Sequence, residues 1–208
     1  ITAPAKDADG TQGATVLMGV NEGKLDQVLM SSNASCTTNA ASPVIEIMRE
    51  EPGIEKAILN TVHGYTATQS IVDGPTKKDV RRGRAAAMNI IPTTTGAAIA
   101  TTRAIPELEG KFDGMAMRVP VIAGSLVDIT LIAKRDTTAD EINEIFKRAA
   151  SSPRWDGVLS VVSEPLVSSD ILGQPYGAIV DTDFTKVVEK DCKYAIVSGF
   201  VVIGHGRS

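Results

Sequence analysis

The chain has 208 residues, 43% of them hydrophobic and 22% charged, which is the composition of a globular protein of one or two domains and excludes a disordered or fibrous chain. A net charge of -4 excludes nucleic-acid binding by overall attraction to phosphates, so any anion site has to be local. Two cysteines, Cys36 and Cys192, and two histidines, His63 and His205, fit neither a metal-finger spacing nor a disulfide framework, and no metal site is expected. No apolar stretch approaches the roughly 18 residues of a membrane span, and Ile1 to Lys6 has no charged segment leading into an apolar core. The expectation is a cytoplasmic protein without membrane or nucleic-acid partners.

Residues 1–34 read as the end of something. Two short apolar runs, Thr15 to Val20 and Val28 to Met30, precede the turn Ser31-Ser32-Asn33, and a stretch that short buries no core alone. From Thr37 to Glu50, Ala40, Ala41, Val44, Ile45 and Met48 recur at three and four residues, which predicts a helix starting just after Cys36, kinked at Pro43 and ended by Pro52-Gly53. Ala57 to Val62 reads as a short strand that delivers His63 to its end. Gly64 to Arg84 has no sustained period, and loops of about 20 residues inside a compact chain are usually functional.

Ile90-Ile91-Pro92 leads to a turn, Thr93-Thr94-Thr95-Gly96, and a small-residue helix from Ala97 to Ala104. Met115 to Val121 and Ser125 to Ala133 read as adjacent strands. Thr138-Ala139-Asp140-Glu141 is a capping box before Ile142, Ile145, Phe146 and Ala149 on one helical face. Strand-like runs follow at Val158 to Val162, Ala178 to Val180, Lys186 to Val188 and Tyr194 to Val197. Strand pairs and helices in blocks predict an α+β fold, with a mixed, mostly antiparallel sheet and helices packed on one face.

Cys36 is the strongest chemical candidate, because backbone amides at the first turn of a helix stabilise a thiolate. A lone cysteine is more often a small buried hydrophobe, but the flanks Ser35, Thr37, Thr38 and Asn39 are all polar. His63, at a strand end, is placed to exchange a proton, and a Cys and His that meet in space form an activated nucleophile. The run Lys77 to Arg84 is a local attractor for a phosphorylated ligand or a merely solvated basic face. Thr93 to Gly96 offers hydroxyls and amides to an anion, or simply caps a helix. Arg118, between Met117 and Val119, should be paired with an anion or sit at the sheet's end. Trp155, Tyr176 and Cys192 suggest packing only, and His205 lies in a tail read as frayed.

Five segments together resemble the glyceraldehyde-3-phosphate dehydrogenase family in order and spacing: Ser35-Cys36-Thr37-Thr38-Asn39, His63-Gly64-Tyr65-Thr66-Ala67-Thr68-Gln69, Arg81-Arg82-Gly83-Arg84-Ala85-Ala86, Pro92 to Ala98, and Met117-Arg118-Val119-Pro120. The resemblance runs from Ile1 to about Val188. It implies that Cys36 adds to an aldehyde as nucleophile, that His63 is the base assisting hydride departure to NAD or NADP, and that inorganic phosphate attacks the resulting thioester. It puts substrate phosphate on Thr66, Arg82 and Arg118, and inorganic phosphate on Ser35, Thr37, Thr95 and Gly96. The implied reaction is the glycolytic conversion of glyceraldehyde 3-phosphate to 1,3-bisphosphoglycerate in a homotetramer, with the loop from Gly64 to Arg84 at subunit contacts.

The family's nucleotide-binding domain is almost absent, and the sequence has no Gly-x-Gly-x-x-Gly loop. Thr2 and Ala3 fall on its last cofactor-binding positions. The family's Trp-Tyr-Asp-Asn-Glu motif, whose asparagine orients the nicotinamide amide, is replaced by Ser198-Gly199-Phe200-Val201-Val202. The expected division is therefore a nucleotide-domain remnant at 1–34, a catalytic domain at 35–190 and a divergent tail at 191–208, with little dehydrogenase activity from the chain alone. Two other readings use the same residues: a cysteine acyl-phosphatase or esterase without the redox step, and a non-catalytic phosphometabolite-binding or subunit-assembly module.

Overall fold

The computed structural model describes residues 1–5, 12–76 and 79–188, together with the backbone of 194–201. Lys77, Lys78, Cys192 and His205 lie outside the described residues. Two short parallel strands, β1 (Gly13–Thr15) and β2 (Met30–Ser32), form a small sheet of their own. The other described residues form an eight-stranded mixed sheet with three α-helices and short 3-10 turns. Its strands are β3 (Ile54–Gly64), β4 (Ile91–Thr94), β5 (Phe112–Val119), β6 (Ser125–Ala133), β7 (Leu159–Val162), β8 (Ala178–Asp181), β9 (Lys186–Val187) and β10 (Tyr194–Val201). The order is β4-β5-β3-β6-β10-β8-β7, with β9 paired to β10. Only β3–β5 and β7–β8 are parallel. This is the α+β, mostly antiparallel arrangement expected.

β6 shows why one face carries the helices. Its residues alternate between buried and half-buried along the whole strand, and Val127, Ile129, Leu131 and Ala133 point into the core. There they meet α1 (Cys36–Glu50), whose Ala41, Val44, Ile45 and Met48 form the opposite wall. α1 runs unbroken through Pro43, which the sequence marks as a kink, and stops where Gly53 takes a left-handed φ of 89° and donates its N–H to Met48 O. α2 (Ala97–Ala104) packs on β5 and α1, while α3 (Ala139–Ala150) packs on β7 and α1. Thr138 caps α3 as expected, accepting from the Glu141 N–H at 3.2 Å. The other half of the capping box is spent elsewhere, because Glu141 takes hydrogen bonds from Thr137 and Arg135.

One expectation is corrected by the topology. β5 and β6 are not neighbours; β3 lies between them, parallel to β5 and antiparallel to β6. The short connection after β5 turns over the end of β3 instead of closing a hairpin, with Gly64 N–H donating to Gly124 O and Tyr65 N–H to Val121 O. A side chain at position 64 would meet the Val121 carbonyl oxygen at 2.5 Å, so this crossing requires glycine. β10, which includes the strand-like run expected from Tyr194, sits in the middle of the sheet, paired with β6 from Tyr194–Ile132 through Val201–Ser125.

Among the described residues, the first 34 contact this body through β1 and through Gly19. β1 touches α2, and Gly19, at φ 75°, lies directly against the buried Trp155 ring. Beside that contact Arg154 donates to Gly19 O at 2.6 Å and bridges to Glu46 and Glu50 on α1.

Candidate active site

β2 leads into α1 through a strained turn. Ala34 has a φ of 60°, a left-handed conformation that costs a non-glycine residue about 1–3 kcal/mol. The turn is held because Ala34 N–H donates to Ser32 Oγ at 3.2 Å and Asn39 Nδ2 donates to Asn33 O at 2.6 Å and Ser35 O at 2.9 Å. Ser35 then caps α1, its Oγ accepting from the Thr38 N–H at 3.1 Å. Cys36 is thus the first residue of the helix and half-buried, at an end whose first backbone amides have no partner within the helix. Sequence reasoning names Asn39 as part of a motif, but nothing in it reveals the Ala34 turn that Asn39 secures.

β3 carries His63 to the same place. The ring is 4% exposed, with Nε2 at 3.6 Å from Cys36 Sγ. On its other side Nδ1 lies 2.6 Å from Gly64 O and 2.6 Å from Arg118 Nη1. Arg118 reaches that position because β5 runs parallel to β3 with Arg118 in register with His63. It therefore sits near the end of its strand, as a guanidinium in an apolar strand should. Among the described residues it has no carboxylate partner, and its Nε is buried without a hydrogen bond.

These side chains open into one cleft of about 390 Å³. Every residue anticipated for catalysis or phosphate binding lines it: Cys36 and His63, then Thr66, Arg82 and Arg118, then Ser35, Thr37, Thr95 and Gly96. The cleft also receives the starts of two helices, α1 at Ser35 to Thr38 and α2 at Thr94 to Gly96, so free amides and positive helix ends converge there. Thr95 Oγ1 accepts from the N–H of Ala97, the first residue of α2, at 3.2 Å. Arg82 is oriented by a hydrogen bond to Thr68 Oγ1 at 2.9 Å and a looser pairing with Asp79 at 3.7 Å. Thr2 and Ala3 are exposed beside β2, where Ala3 O accepts from Ser32 Oγ at 2.7 Å; they do not line the cleft, whereas Pro4 does.

Residues 35–198 match the family described as glyceraldehyde 3-phosphate dehydrogenase, C-terminal domain. The chain belongs to that family. Among curated relatives, glyceraldehyde-3-phosphate dehydrogenase of Streptomyces coelicolor is 49% identical over 191 residues, which is 91% of this chain and 55% of the relative. Glyceraldehyde-3-phosphate dehydrogenase 2 of Bacillus subtilis is 46% identical over 202 residues, 96% of this chain and 57% of its own length. The Mycobacterium tuberculosis enzyme of the same name is 45% identical over 194 residues, covering 93% and 56%. The chain spans about half the length of the curated relatives it matches.

The electrostatics of the domain's cleft are those of a site short of negative charge. Burial, then the nearby Arg82 charge, pulls the Arg118 guanidinium below the ordinary arginine value, with Cys36 acting in the other direction. Burial also pushes His63 below the usual histidine range and Arg118 adds to this, while the Gly64 hydrogen bond opposes both. The imidazole is therefore neutral and available as a base at neutral pH.

That shift has a stability consequence. Below pH 6.5, the ordinary value for the imidazole, the unfolded chain takes up a proton that folded His63 refuses, so the unfolded state binds more protons and stability falls with falling pH. In phosphate-free buffer the urea midpoint of the wild type should drop relative to His63→Gln as pH falls through 6.5, and the two curves should run parallel above about pH 7.5.

Proposed function

We propose that this chain is the catalytic half of a phosphorylating glyceraldehyde-3-phosphate dehydrogenase. The observation that carries the reading is the cleft, where a Cys–His pair at 3.6 Å shares its walls with two arginines and the starts of two helices. The sulfur of Cys36 adds to the aldehyde carbon, the thiol proton passing by way of His63 Nε2 to the former carbonyl oxygen, and the product is a thiohemiacetal. In the acyl-transfer step an oxygen of inorganic phosphate attacks the thioester carbonyl. The C–S bond then breaks, the sulfur departs as thiolate and an acyl phosphate leaves. Arg82, Arg118 and Thr66 suit the phosphate ester of the substrate, and Ser35, Thr37, Thr95 and Gly96 suit the attacking phosphate.

The oxidation between those two states needs a nicotinamide dinucleotide, NAD or NADP. The residues present do not fit one, since the sequence has no glycine-rich loop for its pyrophosphate and Thr2 and Ala3 stay off the cleft wall. The chemistry assigned to this chain is accordingly thiol addition and acyl transfer. The loop between β3 and β4 exposes Ile71, Val72, Val80, Met88 and Ile90, which supports contact with a second copy in a homo-oligomer.

Acyl transfer can be tested without a dinucleotide. Incubating the purified chain with 1,3-bisphosphoglycerate should place a single acyl adduct on Cys36, read by mass spectrometry, and phosphate should discharge it. Cys36→Ser should show none. An adduct that survives in Cys36→Ser, or no adduct on the wild type, would overturn the proposal.

A further inference from the structure

Ala34 keeps a backbone conformation that alanine does not choose for itself. Its φ of 60° lies in the left-handed region, where the methyl group crowds its own backbone and where glycine sits freely. The shortest escape is a half-turn of the peptide plane joining Asn33 to Ala34, which carries φ into the extended region that alanine prefers. Both ends of that plane are pinned. Ala34 N–H donates to Ser32 Oγ at 3.2 Å, and Ser32 is itself tied down, its hydroxyl donating to Ala3 O at 2.7 Å. At the other end Asn33 O accepts from Asn39 Nδ2 at 2.6 Å. The same amide donates to Ser35 O at 2.9 Å, so one side chain near the start of α1 grips the carbonyls of the residues on both sides of Ala34.

We propose that Asn39 is a positioning residue for Cys36: it holds Ala34 in the left-handed turn, and that turn sets the sulfur against His63. This rests on reading Cys36 as the nucleophile. The strained residue stands two positions before Cys36 and is buried in the wall of the same cleft, whereas Asn39 lies off that wall and acts only through the turn. Asn39 is not needed to start the helix, because Ser35 already caps α1 through its bond from the Thr38 N–H. What the amide adds is the conformation of residue 34. Without it the peptide plane turns over, Ser35 is no longer fixed from the Asn33 side, and the first turn of α1 loosens. Sγ then leaves its 3.6 Å contact with His63 Nε2. Strain held by surrounding bonds beside a reacting atom is a means of fixing that atom in advance.

A pair of substitutions tests this. Asn39→Ala removes the donor and lets Ala34 relax. The rate at which iodoacetamide alkylates Cys36 at neutral pH, followed on the Cys36 peptide, should fall by about 10- to 100-fold, the range for a reacting atom misplaced by up to about 1 Å. Adding Ala34→Gly to Asn39→Ala should bring the rate back to within about 3-fold of the wild type, because glycine adopts the left-handed turn without strain and has no use for the amide. That rescue is what a merely stabilising asparagine would not show, since glycine restores neither of the lost hydrogen bonds. Asn39→Ala alkylating at the wild-type rate or faster overturns the proposal, and so does a double variant as slow as the single one. Should Asn39→Ala not fold, as its urea curve would show, the double variant decides alone: folded and reactive supports the proposal, while folded and slow, or unfolded, overturns it. Acylation by 1,3-bisphosphoglycerate reports separately on the functional reading. A wild type that takes up no acyl group overturns that reading, while the order of the three alkylation rates still decides the role of Asn39.

Discussion

Replacing His63 by asparagine slows alkylation of Cys36 by iodoacetamide by at least about 100-fold at neutral pH in phosphate buffer, the lower end of what a positioned proton acceptor contributes. The expectation rests on geometry. Nε2 is the ring atom 3.6 Å from Sγ, and the ring is 4% exposed, so solvent offers no comparable acceptor on that side. Asparagine keeps the size and polarity of the site and can still hydrogen-bond at the position of Nδ1, but it offers no nitrogen lone pair toward sulfur. The rate has to be followed on the Cys36 peptide by mass spectrometry, because Cys192 also carries a thiol. A urea unfolding curve for the variant separates lost chemistry from lost fold. A variant rate equal to the wild type would mean that the sulfur owes its reactivity to the helix start and not to the imidazole.

How much of this is legible in the chain depends on the distance over which each signal acts. β6 is readable to the residue because its alternation is local, and the start of α1 is readable because Ser35 caps only three residues ahead. The convergence of Cys36, His63, Arg82, Arg118 and Thr95 on one cleft is reachable only through family resemblance, since no local pattern brings five separate segments together. Pairing over distance is lost. β3 begins at Ile54, three residues before its apolar run, because Glu55 and Lys56 are exposed beside an irregularity in the pairing with β6 and break the alternation. The insertion of β3 between β5 and β6 leaves no trace in either strand. Gly64 belongs to a recognisable motif, yet the reason for it, a carbonyl from residue 121, comes from a different loop. Arg118 stands out in the sequence as a charge in an apolar strand that needs an anion or a place at the sheet's end; it has the strand end, but the imidazole beside it is not signalled by either segment.

Trp155→Ala should lower the unfolding free energy by about 3–5 kcal/mol, a large share of the roughly 5–15 kcal/mol that holds a typical domain. The indole is 2% exposed and belongs to the main core, so its removal leaves a cavity where core and amino-terminal segment meet. Its face lies against Gly19, a residue that admits no Cβ without striking the ring, and the Arg154 guanidinium stacks on it at 4.8 Å from the centroid. Arg154 in turn donates to Gly19 O and to Glu46, whose carboxylate is buried and held below the usual range by Arg49 and Arg154 against its burial. Loss of the ring therefore loosens the arginine, and with it the anchor of the turn at residues 17–21 on α1, the helix that begins at Cys36. The expected signature is a lower urea midpoint together with preferential proteolysis between residues 12 and 34. A change below about 1 kcal/mol, or cleavage spread evenly along the chain, would show that the contact of Gly19 with the Trp155 ring does not hold this segment on the core.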